Sequence, residues 1–138
     1  MIKGPGGFEL HLLRTGTETD GELLEMDATY PGSDTLPPEH LHPQQTERFE
    51  VLEGNIRAII DGSERRYEAG EVFVVPPGTP HQLGAEEPAR MRWETRPALR
   101  TAEFFERLFG DGPDSASAAE SIPEFFAEFG EEFRLTAG

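Results

Sequence analysis

The sequence has no cysteine among its 138 residues, which excludes disulfides, thiolate metal sites and thiol nucleophiles. Any bound metal must be held by nitrogen and oxygen donors. Basic residues are scarce: 12 Lys and Arg stand against 27 Asp and Glu, a net charge of −15. That balance repels phosphate backbones and anionic lipid surfaces, so neither a nucleic acid nor a membrane is an expected partner. No apolar run approaches the roughly 20 residues of a membrane helix. The start, MIKGPGGFEL, lacks the apolar stretch of a secretion signal, so the expected location is cytoplasmic. Histidine is sparse as well, with four in the chain, and this gives weight to where each one falls.

What is present suffices for one domain with a core, since 36% of residues are hydrophobic. From residue 8 to about 96 the chain reads as short strands between turns. FELHLLR (8–14) sets Phe8, Leu10 and Leu12 on one face at period two. ELLEMDATY (22–30) does the same with Leu24, Met26, Ala28 and Tyr30. ERFEVLEGNIRAIIDGSERRYEAG carries turn signals at Glu53-Gly54-Asn55 and Asp61-Gly62, so it reads as consecutive strands. EVFVV (71–75) reads as a buried strand that stops at Pro76-Pro77. ARMRWETR (89–96) alternates Met91, Trp93 and Thr95 with Arg90, Arg92, Glu94 and Arg96. Many short, closely spaced strands predict an all-β barrel or sandwich over 1–97.

Residues 98–138 read differently, as a helical extension. TAEFFERLFG (101–110) has a helix-like start at Thr101 and a stop at Gly110. A polar linker follows over 110–120. Ser121 with Glu124 resembles a capping box, and Ile122, Phe125, Phe126, Phe129 and Phe133 form a helical stripe. Seven of the ten phenylalanines lie in this tail. The plainest expectation is that they pack on the outer barrel wall; a subunit interface is the sharper alternative.

The chemistry lies in His40-Leu41-His42. Residues two apart on a strand point to one face, so both imidazoles reach one point. Glu47 follows five residues later, at the entry of the next strand, and adds a hard oxygen donor. His81 follows the Gly78-Thr79-Pro80 turn, which returns it toward the interior. His11 has no motif partner and reads as an exposed strand residue.

HLHPQQTERFEVLEG (40–54) and GEVFVVPPGTPH (70–81) together resemble the two motifs of the cupin superfamily. His40, His42, Glu47, Gly54, Gly70, Pro76, Gly78 and His81 match in order, over roughly residues 20–97. Two positions depart from the pattern. Asp34 stands where the family often has glycine, and Ala85 where it often has asparagine. Both are turn positions and leave the ligand set untouched. The resemblance implies a double-stranded β-helix, or jelly-roll barrel, that is often dimeric. It also implies one divalent transition metal (Mn, Fe, Ni, Co or Zn) on His40, His42, Glu47 and His81. Family activities include dioxygenases, decarboxylases, isomerases, cyclases and non-catalytic binding proteins, and fold does not choose among them.

Strand parity adds a view of the pocket. If Glu47 points inward, Phe49 and Val51 do too; Met26, Met91 and Trp93 supply further apolar faces, and Gln44 and Gln45, between the ligands, hydrogen-bonding groups. Such a lining suits a small hydrophobic molecule. Oxygenase-type chemistry is the first expectation. A redox-neutral cyclase or isomerase, or a non-catalytic ligand-binding protein, is the alternative. Leu52 and Ile59 fall on the outer face by parity, and a homodimer that covers such surface is expected.

Overall fold

The computed structural model describes residues 1–110 and 122–136, apart from the side chains of Pro5 and residues 122–124. The strands are β1 (Ile2–Lys3), β2 (Glu9–Arg14), β3 (Leu24–Tyr30), β4 (His40–Leu41), β5 (Thr46–Glu53) and β6 (Asn55–Ile60). They continue with β7 (Ser63–Glu68), β8 (Val72–Val75), β9 (His81–Gly84) and β10 (Ala89–Arg96). Two helices, α1 (Thr101–Phe109) and α2 (Ile122–Glu128), precede a last short strand, β11 (Arg134–Leu135). Among the described residues no helix is long and apolar enough to cross a membrane.

The strands form two antiparallel sheets, ordered β1-β2-β3-β10-β5-β8 and β11-β4-β9-β6-β7. Chain neighbours such as β4 and β5 fall in opposite sheets, the wiring of a jelly roll. Period-two alternation builds the core between the sheets. On β10, Ala89, Met91, Trp93 and Thr95 are buried, while Arg90, Arg92 and Glu94 face outward. Met91 lies opposite Val51 and Ala28, and Trp93 opposite Phe49 and Met26, so three strands close one apolar layer. The outer face carries a charge ladder, with Arg90 on Asp27 at 2.9 Å and Arg48 on Glu94 at 3.0 Å. Surface ion pairs of this kind contribute little to stability and serve mainly to keep that face polar.

Gly54 is required by geometry. Its φ is 74°, and a Cβ there would sit 2.6 Å from the carbonyl oxygen of Pro88, so the turn into β6 admits no side chain.

Three sequence expectations need correction. The 71–75 segment is not buried on both faces: Phe73 and Val75 are buried, but Val72 and Val74 are exposed. In two sheets packed face to face, only one face of each strand meets the core. The extension is not purely helical, because β11 returns to pair with β4. Two of its aromatic side chains, Phe133 and Phe105, reach His40 and Trp93 rather than the outer wall, while Phe109 packs on Phe8. α1 does begin at Thr101 and stop before Gly110. The linker from residue 111 onward, the Ser121–Glu124 capping box and the Ile122 side chain lie outside the described residues.

Candidate metal centre

The site forms where the two sheets face each other. His40 on β4 is the cross-strand partner of His81 on β9, which also pairs with Ile60 on β6. His42 lies just beyond the end of β4, and its carbonyl accepts a hydrogen bond from the Gly78 amide at 2.9 Å. The second motif's turn is thereby tied to the first motif. Glu47 enters from β5 in the opposite sheet, beside Thr95 of β10.

One ligating nitrogen from each of His40, His42 and His81 lies within 4.8 Å of the other two. Glu47 Oε1 sits 3.1 Å from His42 Nε2 and 3.0 Å from His81 Nε2. These contacts are short but not aligned as hydrogen bonds: all three atoms are buried and lack a hydrogen-bond partner. Lone pairs that converge on a shared point, rather than on each other, produce this pattern. The opposite side of each ring is satisfied. Nδ1 of His40 faces the Pro38 carbonyl at 3.1 Å, that of His42 the Glu132 carbonyl at 2.6 Å, and that of His81 the Thr79 carbonyl at 2.8 Å. A carbonyl can only accept, so each Nδ1 carries a proton and Nε2 is the nitrogen each ring turns toward the shared point. Glu47 is anchored in the same way, its Oε2 accepting from Trp93 Nε1–H at 2.8 Å. The donor set therefore fits a metal ion, with a backing partner behind every ligand.

Electrostatics agrees. Burial pushes the His40 ring down to about 4, with the His81 and His42 rings adding to the effect, so it is a neutral donor at pH 7. Burial also opposes charge on His42, but the Coulombic pull of Glu47 and the Glu132 carbonyl outweigh it and hold that ring above its ordinary value. Glu47 is disfavoured by burial, yet His42 and His81 hold its carboxyl well below the usual carboxylate range. It is thus anionic and, at 1% exposure, almost sealed from water. A buried anion of this kind needs a positive partner, and a bound cation supplies one.

The five apolar pocket candidates are buried as expected, but not equivalently. Trp93 touches Glu47 directly, and Phe49 packs on Trp93 at 5.4 Å. Val51 lies four residues down the strand from Glu47, about 13 Å at the rise of a strand, and it, Met91 and Met26 fill the core layer. Gln44 is exposed and does not line the interior. Of the two glutamines expected here, Gln45, on the parity of Glu47, is the one that turns inward. That side chain is buried and donates to the Pro97 carbonyl at 2.9 Å and to Thr101 Oγ1 at 2.8 Å, tying the ligand loop to the start of α1. His11 is exposed and lies outside the histidine cluster.

Sequence reading missed Phe133 and Glu132. The Phe133 ring stacks on His40 at 4.5 Å with 16° between planes, and on Phe104 of α1 at 4.8 Å. Phe133 is legible only as the end of the phenylalanine stripe, whereas it lies beyond α2 and some 90 positions from His40; Glu132 contributes a backbone carbonyl, which no motif marks.

With this geometry established, comparison with known proteins settles the family. The model of the cupin domain matches residues 26–95, just over half of the chain. The chain belongs to the cupin family. Solved structures give the same fold. An RmlC-like cupin from Shewanella frigidimarina is similar at TM-score 0.63 and 21% identity, covering 74% of this chain and 87% of that one. KdgF from Halomonas sp. gives 0.61 and 19%, covering 69% and 83%. A predicted oxalate decarboxylase from Thermotoga maritima gives 0.61 and 17%, covering 66% and 81%. At such identities the likeness speaks for the fold alone. No match is found among curated proteins.

Proposed function

We propose that this cupin is a mononuclear metal-dependent enzyme acting on a small, largely apolar organic molecule, with oxygenase-type chemistry. The observation that carries the metal is the convergence of His42 Nε2, His81 Nε2 and Glu47 Oε1, buried and unpartnered, beside the His40 ring. A divalent ion on three imidazoles and one carboxylate would supply a Lewis acid with positions open to an exogenous molecule and, for iron or manganese, a one-electron couple.

The chain's own residues define the rest. Glu47 brings one negative charge to the site, and Trp93 fixes which of its oxygens faces the histidines. Phe49, Trp93, Phe105, Phe104 and Phe133 form one connected run of aromatic rings beside the site. Such a run binds flat apolar groups and excludes water.

Metal analysis of protein purified without added metal is the first test. One equivalent per chain is expected, with sharp loss in His40→Ala and His81→Ala and none in His11→Ala. Equal content in all three variants refutes the site. Nitric oxide added to Fe(II)-loaded protein then tests chemistry. A high-spin electron paramagnetic signal is expected from an exchangeable position; its absence favours a non-catalytic binding protein.

A further inference from the structure

The metal centre proposed above is backed by four partners, and one of them comes from far along the chain. Pro38 and Thr79 each lie two residues from the histidine they hold, and Trp93 is a barrel residue. The Glu132 carbonyl belongs to the end of the extension, beyond both helices, yet its 2.6 Å contact with His42 Nδ1 is the shortest of the four. The same stretch makes a second contact with the site through Phe133, stacked on His40. It makes a third through the backbone. β11 pairs with β4, setting Leu135 opposite His40 and Arg134 opposite Leu41. Just beyond, the Thr136 amide donates to the Glu39 carbonyl at 3.2 Å and its hydroxyl to Glu39 Oε1 at 2.6 Å.

We infer that segment 129–136 is a built-in part of the metal centre and sets its affinity, positioning His42 through the Glu132 carbonyl and His40 through Phe133. The inference rests on the metal-centre reading. A neutral imidazole can place its proton on either nitrogen, and a proton on Nε2 would occupy the lone pair that a metal needs. The Glu132 carbonyl removes that option for His42. The stacked Phe133 ring restricts the rotation of His40, which is the least buried of the three histidines and the most free to turn. β4 is only two residues long, and β11 covers its otherwise free side in the smaller sheet. Glu132 and Phe133 are themselves held, since both amides donate to the Phe129 carbonyl at 2.9 Å and Phe129 is fully buried. The coupling is necessarily reciprocal: if docking of the segment raises metal affinity, bound metal raises docking of the segment.

The test uses full-length chains and two readouts that do not involve turnover. Zn(II) affinity is measured by competition with a chromogenic chelator for wild type, Phe133→Ala, Phe133→Tyr and Thr136→Pro. Loss of a backing partner costs about 10- to 100-fold in affinity. Phe133→Ala and Thr136→Pro should therefore weaken Zn(II) binding at least tenfold, while Phe133→Tyr, which keeps the stacked ring, stays near wild type. Hydrogen exchange supplies the converse: amides 132–136 should exchange more slowly with Zn(II) than with chelator. Thr136→Pro removes the amide and hydroxyl hydrogen bonds to Glu39 and spares the barrel core, so it decides the matter should Phe133→Ala fail to fold. Unchanged affinity in both weakening variants, with His81→Ala still losing metal, overturns the inference and leaves the metal centre standing. Wild type that binds no Zn(II) overturns both.

Discussion

Trp93 Nε1 donates a 2.8 Å hydrogen bond to Oε2 of Glu47, its diagonal neighbour on the inner face of the paired strands β10 and β5, 46 positions away in the chain. The bond leaves Oε1 free to face His42 and His81. It converts a carboxylate that could turn about its last torsion into a donor of one defined direction. Trp93→Phe keeps most of the aromatic surface and deletes the donor. The variant should lose about 1–3 kcal/mol of stability for the buried oxygen left unpaired, read by chemical denaturation of the metal-free protein. Its metal affinity should fall at least tenfold; unchanged affinity would show that the carboxylate needs no anchor.

Glu47→Gln distinguishes two roles for that side chain. As a ligand, Glu47 contributes charge, and the isosteric amide should bind metal more weakly, with occupancy clearly below wild type. As a free general base it would leave occupancy intact and abolish turnover. Metal analysis of this one variant separates the two, and the buried, unpartnered Oε1 predicts the first outcome.

Metal should stabilise the fold by mass action. Binding to the native state contributes about 2.7 kcal/mol at a hundredfold excess over the dissociation constant. Thermal melts with and without chelator should differ by several degrees, with chelated protein melting lower. Identical curves after full demetallation would contradict the assignment.

A homodimer is the expected assembly. Val72 and Val74 stand 43% and 49% exposed on β8, the edge of the larger sheet, where a second copy could cover them. Light scattering at micromolar concentration should return twice the chain mass of 15.3 kDa. Val74→Arg should return the single mass. A monomeric wild type refutes the dimer.

Much of this protein is determined within short stretches of its sequence. Period two on β3, β5 and β10 specifies which side chains enter the core, because a strand turns alternate residues to opposite faces whatever its neighbours are. The metal-ligand candidates are equally local: His40 and His42 share a face, and the glycines and prolines of the two motifs make the turns that bring Glu47 and His81 back. What tertiary structure alone decides is everything that depends on distance in the chain. Gln44 and Gln45 are both legible as polar groups between the ligands, but nothing local shows that Gln45 reaches across to Thr101. The Phe stripe of the tail announces burial without saying against what. Only the folded chain lays Phe133 on His40 and brings the Glu132 carbonyl to His42, 90 residues away. A carbonyl is common to every residue, so its role comes from position and leaves no trace in side-chain identity.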